Sequence, residues 1–242
     1  MQRRDGGYVQ KLPAIEGPRF ATLFNFAAGT PPGKAITAAQ TYAYGQAVAR
    51  IHTCFDAQTE HGERWRFDLA EMFEQPLIIW AQVLAERPED LAYVRSLVLQ
   101  LQGAITRLLG EDAPVFGLCH GDLHKNNLLV SDDGTLTIID FDGPLSWRAY
   151  DLAVLRWSLR DLPQANEAYA AYLHGYTSLR ALSEAERAAI PLFVAARHIF
   201  IYGAEMTRAI NGYRATQWIN DAYFDEFLDF LRRWVNEQCH FS

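Results

Sequence analysis

Residues 114–142 constrain the fold more than any other stretch of this chain. Three short β-favouring runs, Pro-Val-Phe-Gly-Leu-Cys, Asn-Leu-Leu-Val and Thr-Leu-Thr-Ile-Ile-Asp, enclose a dense polar cluster, Cys119-His120-Gly121-Asp122-Leu123-His124-Lys125-Asn126-Asn127. Long helical periodicity stands on both sides. Tyr44, Ala47, Val48, Ile51 and Phe55 are spaced for one buried helix face behind a Thr37/Gln40 capping box. Residues 89–109 repeat the spacing through Leu91, Val94, Leu97, Val98, Leu101, Ile105 and Leu108, with Gly110 placed for a C-terminal cap. Residues 56–68 between them read as a polar loop. Helical stretches follow to the end, with Ser183/Glu186 as a second capping box and Pro191 opening or kinking a helix. A short hairpin therefore sits inside a mainly helical body.

The N-terminal residues differ from this body. Pro13, Gly17 and Pro18 separate two β-favouring runs, Tyr8–Leu12 and Arg19–Ala28, as in a hairpin. Gly29-Thr30-Pro31-Pro32-Gly33 then punctuates the chain. Residues 1–30 and 31–242 are accordingly two units of an α+β fold, one small and β-containing, one mainly helical.

Charge and cysteine content narrow the function classes. Against 29 Asp+Glu stand 22 Lys+Arg, a net charge of −7, with no basic run to track a phosphate backbone, so nucleic acid is disfavoured as a partner. Cys54, Cys119 and Cys239 are odd in number and widely spaced, unlike a disulfide framework or a cysteine-rich zinc site. Neither a leader-like apolar run nor a continuous membrane-length apolar run is visible, so a cytoplasmic setting without a membrane partner is expected.

The polar cluster carries the chemistry. With Asp133-Gly134 as a two-residue hairpin tip, Asn127 stands directly opposite Asp140. An amide oxygen and a carboxylate then converge, with Asp142 two residues on; such hard oxygen donors suit Mg²⁺ held jointly with phosphates. Asp122, on the loop entering the hairpin, reaches the same cleft and can accept a proton from an attacking hydroxyl. Phosphoryl transfer needs little more than such positioning and charge neutralisation. His120, Asp122 and His124 also permit a competing zinc-hydrolase reading, but it leaves Asn127 and Asp140 unexplained. Cys119 reads as a small buried apolar residue.

His-Gly-Asp-Leu-His-Lys-Asn-Asn at 120–127, Ile-Asp-Phe-Asp at 139–142 and Tyr-Asp-Leu-Ala at 150–153 resemble the aminoglycoside phosphotransferase and choline/homoserine kinase-like family, which has a protein-kinase-like fold. The resemblance covers most of the chain. It implies a mainly helical C-terminal lobe with an embedded catalytic hairpin, and ATP and Mg²⁺ as cofactors. It further implies a small-molecule hydroxyl as phosphoryl acceptor. Residue by residue, it makes Asp122 the catalytic base and Asn127 and Asp140 the metal ligands, with Asp142 auxiliary. Asn25 and Phe26 become the adenine contact, His120 a buttress of the catalytic loop, and Asp151 the structural aspartate behind it.

One departure accompanies these matches. The family's small lobe has a phosphate-covering loop, a strand lysine and a helix glutamate, whereas the lysines here are Lys11, Lys34 and Lys125 alone, none in that setting. Residues 1–30 then correspond to the last strands and hinge of that lobe. The expectation is exposed apolar surface and self-association there, and a non-catalytic binding module is the alternative function. Asp221, Asp225, Glu226 and Asp229 read as a solvated helix face rather than as a cation-attracting site.

Overall fold

The computed structural model describes residues 2, 6–58, 64–212 and 218–241. Strands β1 (Val9–Leu12) and β2 (Arg19–Thr22) form an antiparallel hairpin, Val9 opposite Thr22 and Leu12 opposite Arg19. Every residue of both strands is exposed. The second β-favouring run stops short of its expected end at Ala28: beyond Thr22 the backbone is irregular, with Phe24 and Phe26 79% and 95% exposed. Thr30 then exchanges two backbone hydrogen bonds with Val130 and ties this segment to the body.

The body contains helices α1 (Ala38–Asp56), α2 (Leu69–Val83) and α3 (Pro88–Leu108), short strands β3 (Phe116–Leu118), β4 (Leu128–Val130), β5 (Leu136–Ile138) and β6 (Leu145–Trp147), and helices α4 (Arg148–Ser158), α5 (Ala165–Thr177), α6 (Glu184–Ile210) and α7 (Asp221–Gln238). β3 pairs antiparallel with β6, and β4 with β5. Segment 119–144, which holds the polar cluster, thus leaves from one strand of a clamp and returns to the other. Residues 65–67 flank β6, where Phe67 N–H donates to the Leu145 carbonyl and Leu145 N–H to that of Trp65. The polar loop read over 56–68 is ordered at this end; 59–63 of it lie outside the described residues.

Both capping boxes form, Thr37 with Gln40 and Ser183 with Glu186. Two helical expectations change. Helix α2 is not signalled by the sequence, because Pro76 interrupts its run. Asp68 nevertheless caps it by accepting from the N–H groups of Ala70 and Glu71, and Met72, Phe73, Pro76 and Trp80 form its buried face. Gly110 does not cap α3, whose cap residue is Leu109. Of the two readings of Pro191, the one that puts it within a helix holds: it lies inside α6, and its carbonyl accepts from Trp234 Nε1 of α7 at 2.9 Å.

Helix α6, 27 residues long, is the central element and packs against α2, α3, α4 and α7. By length and apolarity it would pass as a membrane span, but two thirds of its most apolar window (67%) is buried inside the protein, as befits a core helix. Helix α1 lies against α5. Its buried residues are Thr41, Tyr44, Gly45, Val48, Ala49 and His52, a face rotated from the expected one, so Ala47, Ile51 and Phe55 are only half-buried. The rotation follows from backbone contact: a Cβ on Gly45 would fall 2.0 Å from the Tyr172 carbonyl oxygen, and one on Gly175 2.0 Å from that of Tyr42. Only glycines permit so close a crossing.

Two outcomes follow for stability. Gly45→Ala should cost more than about 3 kcal/mol in urea unfolding, since the clash is with backbone and cannot be relieved by a rotamer change; an unchanged midpoint would contradict the backbone contact. Burial depresses the pKa of His52 and, more strongly, of His198. Below the usual histidine value of about 6.5 the unfolded chain therefore binds protons that the native state refuses. The melting temperature should fall progressively from pH 7 to pH 5, and a flat profile would refute the neutral burial of these rings.

Candidate active site

The site is assembled on one buried carboxylate. Asp151, in the first turn of α4, accepts from the His120 N–H at 2.7 Å and from His52 Nε2 at 3.0 Å through one oxygen, and from the Gly121 N–H at 2.8 Å through the other. Burial alone would raise its pKa; the bond from His52, the positive ends of nearby groups and the Gly121 N–H outweigh it and hold the group ionised. Since the carboxylate must accept from Nε2, the other nitrogen of His52, Nδ1, accepts the Tyr176 hydroxyl at 2.9 Å. Gly121 has φ +92°, and a Cβ there would lie 2.8 Å from Pro144, so this turn requires glycine.

His120 continues the chain of contacts. Its Nε2 donates to the Ile139 carbonyl at 3.0 Å while Nδ1 accepts the Asp122 N–H at 3.2 Å. The ring thus ties the 120–122 turn to the strand that leads to Asp140.

The hairpin register differs from the expected one. Leu128 faces Ile138 and Val130 faces Leu136, so the tip has three residues, Asp132-Asp133-Gly134, with Gly134 at φ +81°. Such a tip closes a type I turn with a left-handed residue. Pairing is displaced by one residue, and Asn127 accepts from the Ile139 N–H at 3.0 Å instead of standing opposite Asp140. Asp140 itself has φ +65°, the one positive φ at a non-glycine among the described residues. A left-handed turn here re-aims the chain after β5, and such strain is concentrated at functional sites. Asn127 is buried; its amide nitrogen donates to the Asp122 carbonyl at 2.8 Å, and its amide oxygen accepts no hydrogen bond among the described residues.

Negative charge is crowded at this point. Burial raises the Asp142 pKa, and the charges of Asp122 and Asp140 raise it further. The donor set of Asn127, Asp140 and Asp142 is all hard oxygen and strongly anionic, which fits a Mg²⁺ ion shared with phosphates. The one cluster of three ligand types among the described residues is elsewhere, at His52, Cys119 and Asp151. Its ring nitrogens and carboxylate are engaged as above, and burial holds the Cys119 thiol well above its usual pKa, so it reads as packing.

Asp122 opens into a cavity of about 240 Å³ walled by Trp65, Phe67, Tyr150, Arg197, Phe200 and Glu205 among others. Its Oδ1 accepts from the Arg197 guanidinium, and Oδ2 lies 3.4 Å from His124 Nε2. The cavity gathers residues remote in sequence. Arg197, Phe200, Ile201, Ala204, Glu205 and Arg208 line it from a single stripe of α6. These were not found by motif; the signal available was an arginine and a histidine, Arg197 and His198, inside the apolar run of α6.

Other candidates fall outside this cavity. Asn25 and Phe26 are exposed in the irregular segment after β2 and do not line it. Lys125 Nζ donates to the Ser158 carbonyl at 2.7 Å, and Lys11 and Lys34 are not part of the cavity wall. Asp221 and Asp225 pair with Arg87, while Asp225, Glu226 and Asp229 line a separate groove with Arg160 and Tyr202.

Comparison with known proteins agrees with this architecture. An uncharacterized protein of Deinococcus radiodurans is 34% identical over 244 aligned residues, covering 97% of this chain and 68% of its own length. A homoserine kinase of Granulibacter bethesdensis is 28% identical over 228 aligned residues, covering 90% of this chain and 63% of its own. The chain therefore spans about two thirds of the length of these relatives. A solved microcompartment-associated aminopropanol kinase superposes with a TM-score of 0.77 at 23% identity, over 100% of this chain and 77% of that one, which places the helical body and its hairpin in the kinase-like fold. Residues 7–189 match a family of phosphotransferases, and with the 119–142 segment built as described the chain belongs to the Phosphotransferase enzyme family.

Proposed function

We propose that this protein transfers the γ-phosphoryl group of ATP to the hydroxyl of a small molecule, with Asp122 as the catalytic base. The observation that carries the reading is that Asp122 and Asp142 line one cavity of about 240 Å³, with Asp140 near enough for its charge to help raise the Asp142 pKa. In the transfer, the acceptor O–H bond breaks as its oxygen bonds to phosphorus. The proton passes to Asp122, and the bond from phosphorus to the bridging oxygen breaks with its electron pair leaving on ADP.

Asn127, Asp140 and Asp142 would hold Mg²⁺, which supplies charge neutralisation for the triphosphate when bound. Asp151 and His120 keep the backbone of 120–122 in place, so Asp122 meets the acceptor without reorganisation. Residues 1–30, with Asn25 and Phe26, belong in this reading to the nucleotide side.

Away from Asp122 and Asp142 the cavity has an aromatic wall with Glu205 and Arg208 from the last turns of α6. Glu205 has no ion-pair partner among the described residues and shares the cavity with Trp65 and Phe200. This favours an acceptor that carries a cationic amine beside its hydroxyl. A second reading, nucleotide binding without transfer, draws on the lysines: Lys125 is spent on the Ser158 carbonyl and none lines the cavity.

Three outcomes test these statements. With 1-amino-2-propanol and L-homoserine as trial acceptors, Asp122→Asn should lower kcat by about 10²–10⁴-fold; transfer at the wild-type rate would remove Asp122 from the base role. ATP with Mg²⁺ should raise the melting temperature of the wild type but not of Asp140→Asn, and a shift retained in that variant would exclude Asp140 as a ligand. A shift without any transfer would select the second reading. Glu205→Gln should raise KM for amine-bearing acceptors about tenfold with kcat little changed, and an equal effect on uncharged alcohols would argue against the amine contact.

A further inference from the structure

Arg197 is difficult to explain as a stabilising residue. It sits in the middle of α6 and is 4% exposed, among Phe193, Val194, Ala195, Ala196 and Ile199, which are all buried. Taking a guanidinium out of water costs several kcal/mol before pairing, and an apolar side chain of similar volume commonly serves a core better. Among the described residues its one acidic partner is Asp122.

The geometry of that pairing is specific. One terminal nitrogen donates to Asp122 Oδ1, the other to the Tyr150 hydroxyl at 2.8 Å, and the guanidinium lies 5.7 Å from the centre of the Trp157 ring. Nε has no partner and is buried. Tyr150 is in turn fixed, fully buried against Phe67 and Phe193, and burial pushes its phenol up to about 12, so it remains a hydroxyl. Arg197 therefore spans from a rigid core ring to the end of the Asp122 side chain. It takes up Oδ1, so that Oδ2, 3.4 Å from His124 Nε2, is the oxygen left to accept a proton.

The same stripe of α6 continues into the acceptor cavity through Phe200, Ile201, Ala204, Glu205 and Arg208. The group that orients the base and the groups that touch the acceptor are one rigid body. Rotation of Asp122 about its side-chain bonds would break the bond from Arg197 to Oδ1.

We propose that Arg197 is a positioning residue for phosphoryl transfer: it holds Oδ1 of Asp122 so that Oδ2 alone faces the acceptor hydroxyl. This rests on the reading of Asp122 as the base.

The test compares Arg197→Met, Arg197→Lys and Tyr150→Phe with Asp122→Asn, and adds the Arg197→Met/Asp122→Asn double variant. Transfer from ATP with Mg²⁺ to 1-amino-2-propanol and to L-homoserine is followed together with melting temperature. Arg197→Met should lower kcat about 100-fold while KM for ATP stays within about threefold, the split expected when a group acts only on the transition state. Arg197→Lys should recover part of the loss, because the charge returns without the two-pronged fork. Arg197→Met should add little to Asp122→Asn, since both disable the same step. Tyr150→Phe, which keeps Arg197 but removes its second anchor, should lower kcat about threefold to tenfold, and it carries the test if Arg197→Met does not fold.

Wild-type kcat in Arg197→Met, or in Tyr150→Phe where Arg197→Met is lost, with Asp122→Asn inactive, overturns the proposal and leaves the base reading standing. Equal losses in kcat and thermal stability across Arg197→Met and Arg197→Lys, with KM for ATP rising in step, reduce Arg197 to a structural role and overturn it too. An active Asp122→Asn overturns the base reading and the proposal with it, as does a wild-type chain that transfers to neither acceptor.

Discussion

The candidate site depends on the carboxylate of Asp151. It is fully buried and ionised, a state that would be prohibitive were its lone pairs not taken by two backbone N–H groups and an imidazole. Those donors come from two places: His120 and Gly121 from the 120–122 turn, His52 from α1. One side chain at the start of α4 thereby fixes the backbone that presents Asp122 and locks α1 beside it. The rotation of α1 relative to its apolar periodicity follows from the same demand, since His52 can reach Asp151 only if Gly45 and Ala49 face inward with it.

Around this carboxylate the chain closes its loops at both ends. β3 and β6 pin the two ends of 119–144, His120 crosses to Ile139 within it, and Thr30 bridges to Val130 at the far side of the hairpin. Each link is short and mostly backbone, and backbone hydrogen bonds are insensitive to the side chains they join. The segment can hold several carboxylates near one another because its frame does not rely on them. The like-charge crowding that raises the Asp142 pKa is then borne locally and does not unfold the turn.

What was legible in the sequence was what is local. The polar cluster at 119–127, the hairpin after it and both capping boxes follow from residue type and spacing. The register was not legible, because Asp133-Gly134 satisfies two turn chemistries. Whether Gly134 ends a two-residue tip or occupies the left-handed position of a three-residue one depends on how Asp133 bonds back to Ser131 and Thr135. That single residue moved Asn127 from Asp140 to Ile139, and the positive φ of Asp140 redirects the chain beyond the shifted strand. Helix α2 was hidden by Pro76, whose ring packs against Gly203 of α6 rather than breaking the helix.

The cavity beside Asp122 was the least legible part, for a reason that bears on the proposed function. Trp65 comes to it through pairing with β6, and Glu205 and Arg208 come on the last turns of α6, so no local signal joins them. Along that stripe depth changes with position: Arg197 is buried at the Asp122 end, while Glu205 lies two turns further toward the helix end. Replacing a residue near the open end alters what the cavity holds without disturbing the pairing of Arg197 with Asp122. On the proposed function, a helix arranged in this way would separate the chemistry of transfer from the choice of acceptor while keeping both on one axis. The constraint on acceptor choice would then be geometric: with Asp122 as the base, the hydroxyl has to reach it from wherever its other groups are held on the same face of α6.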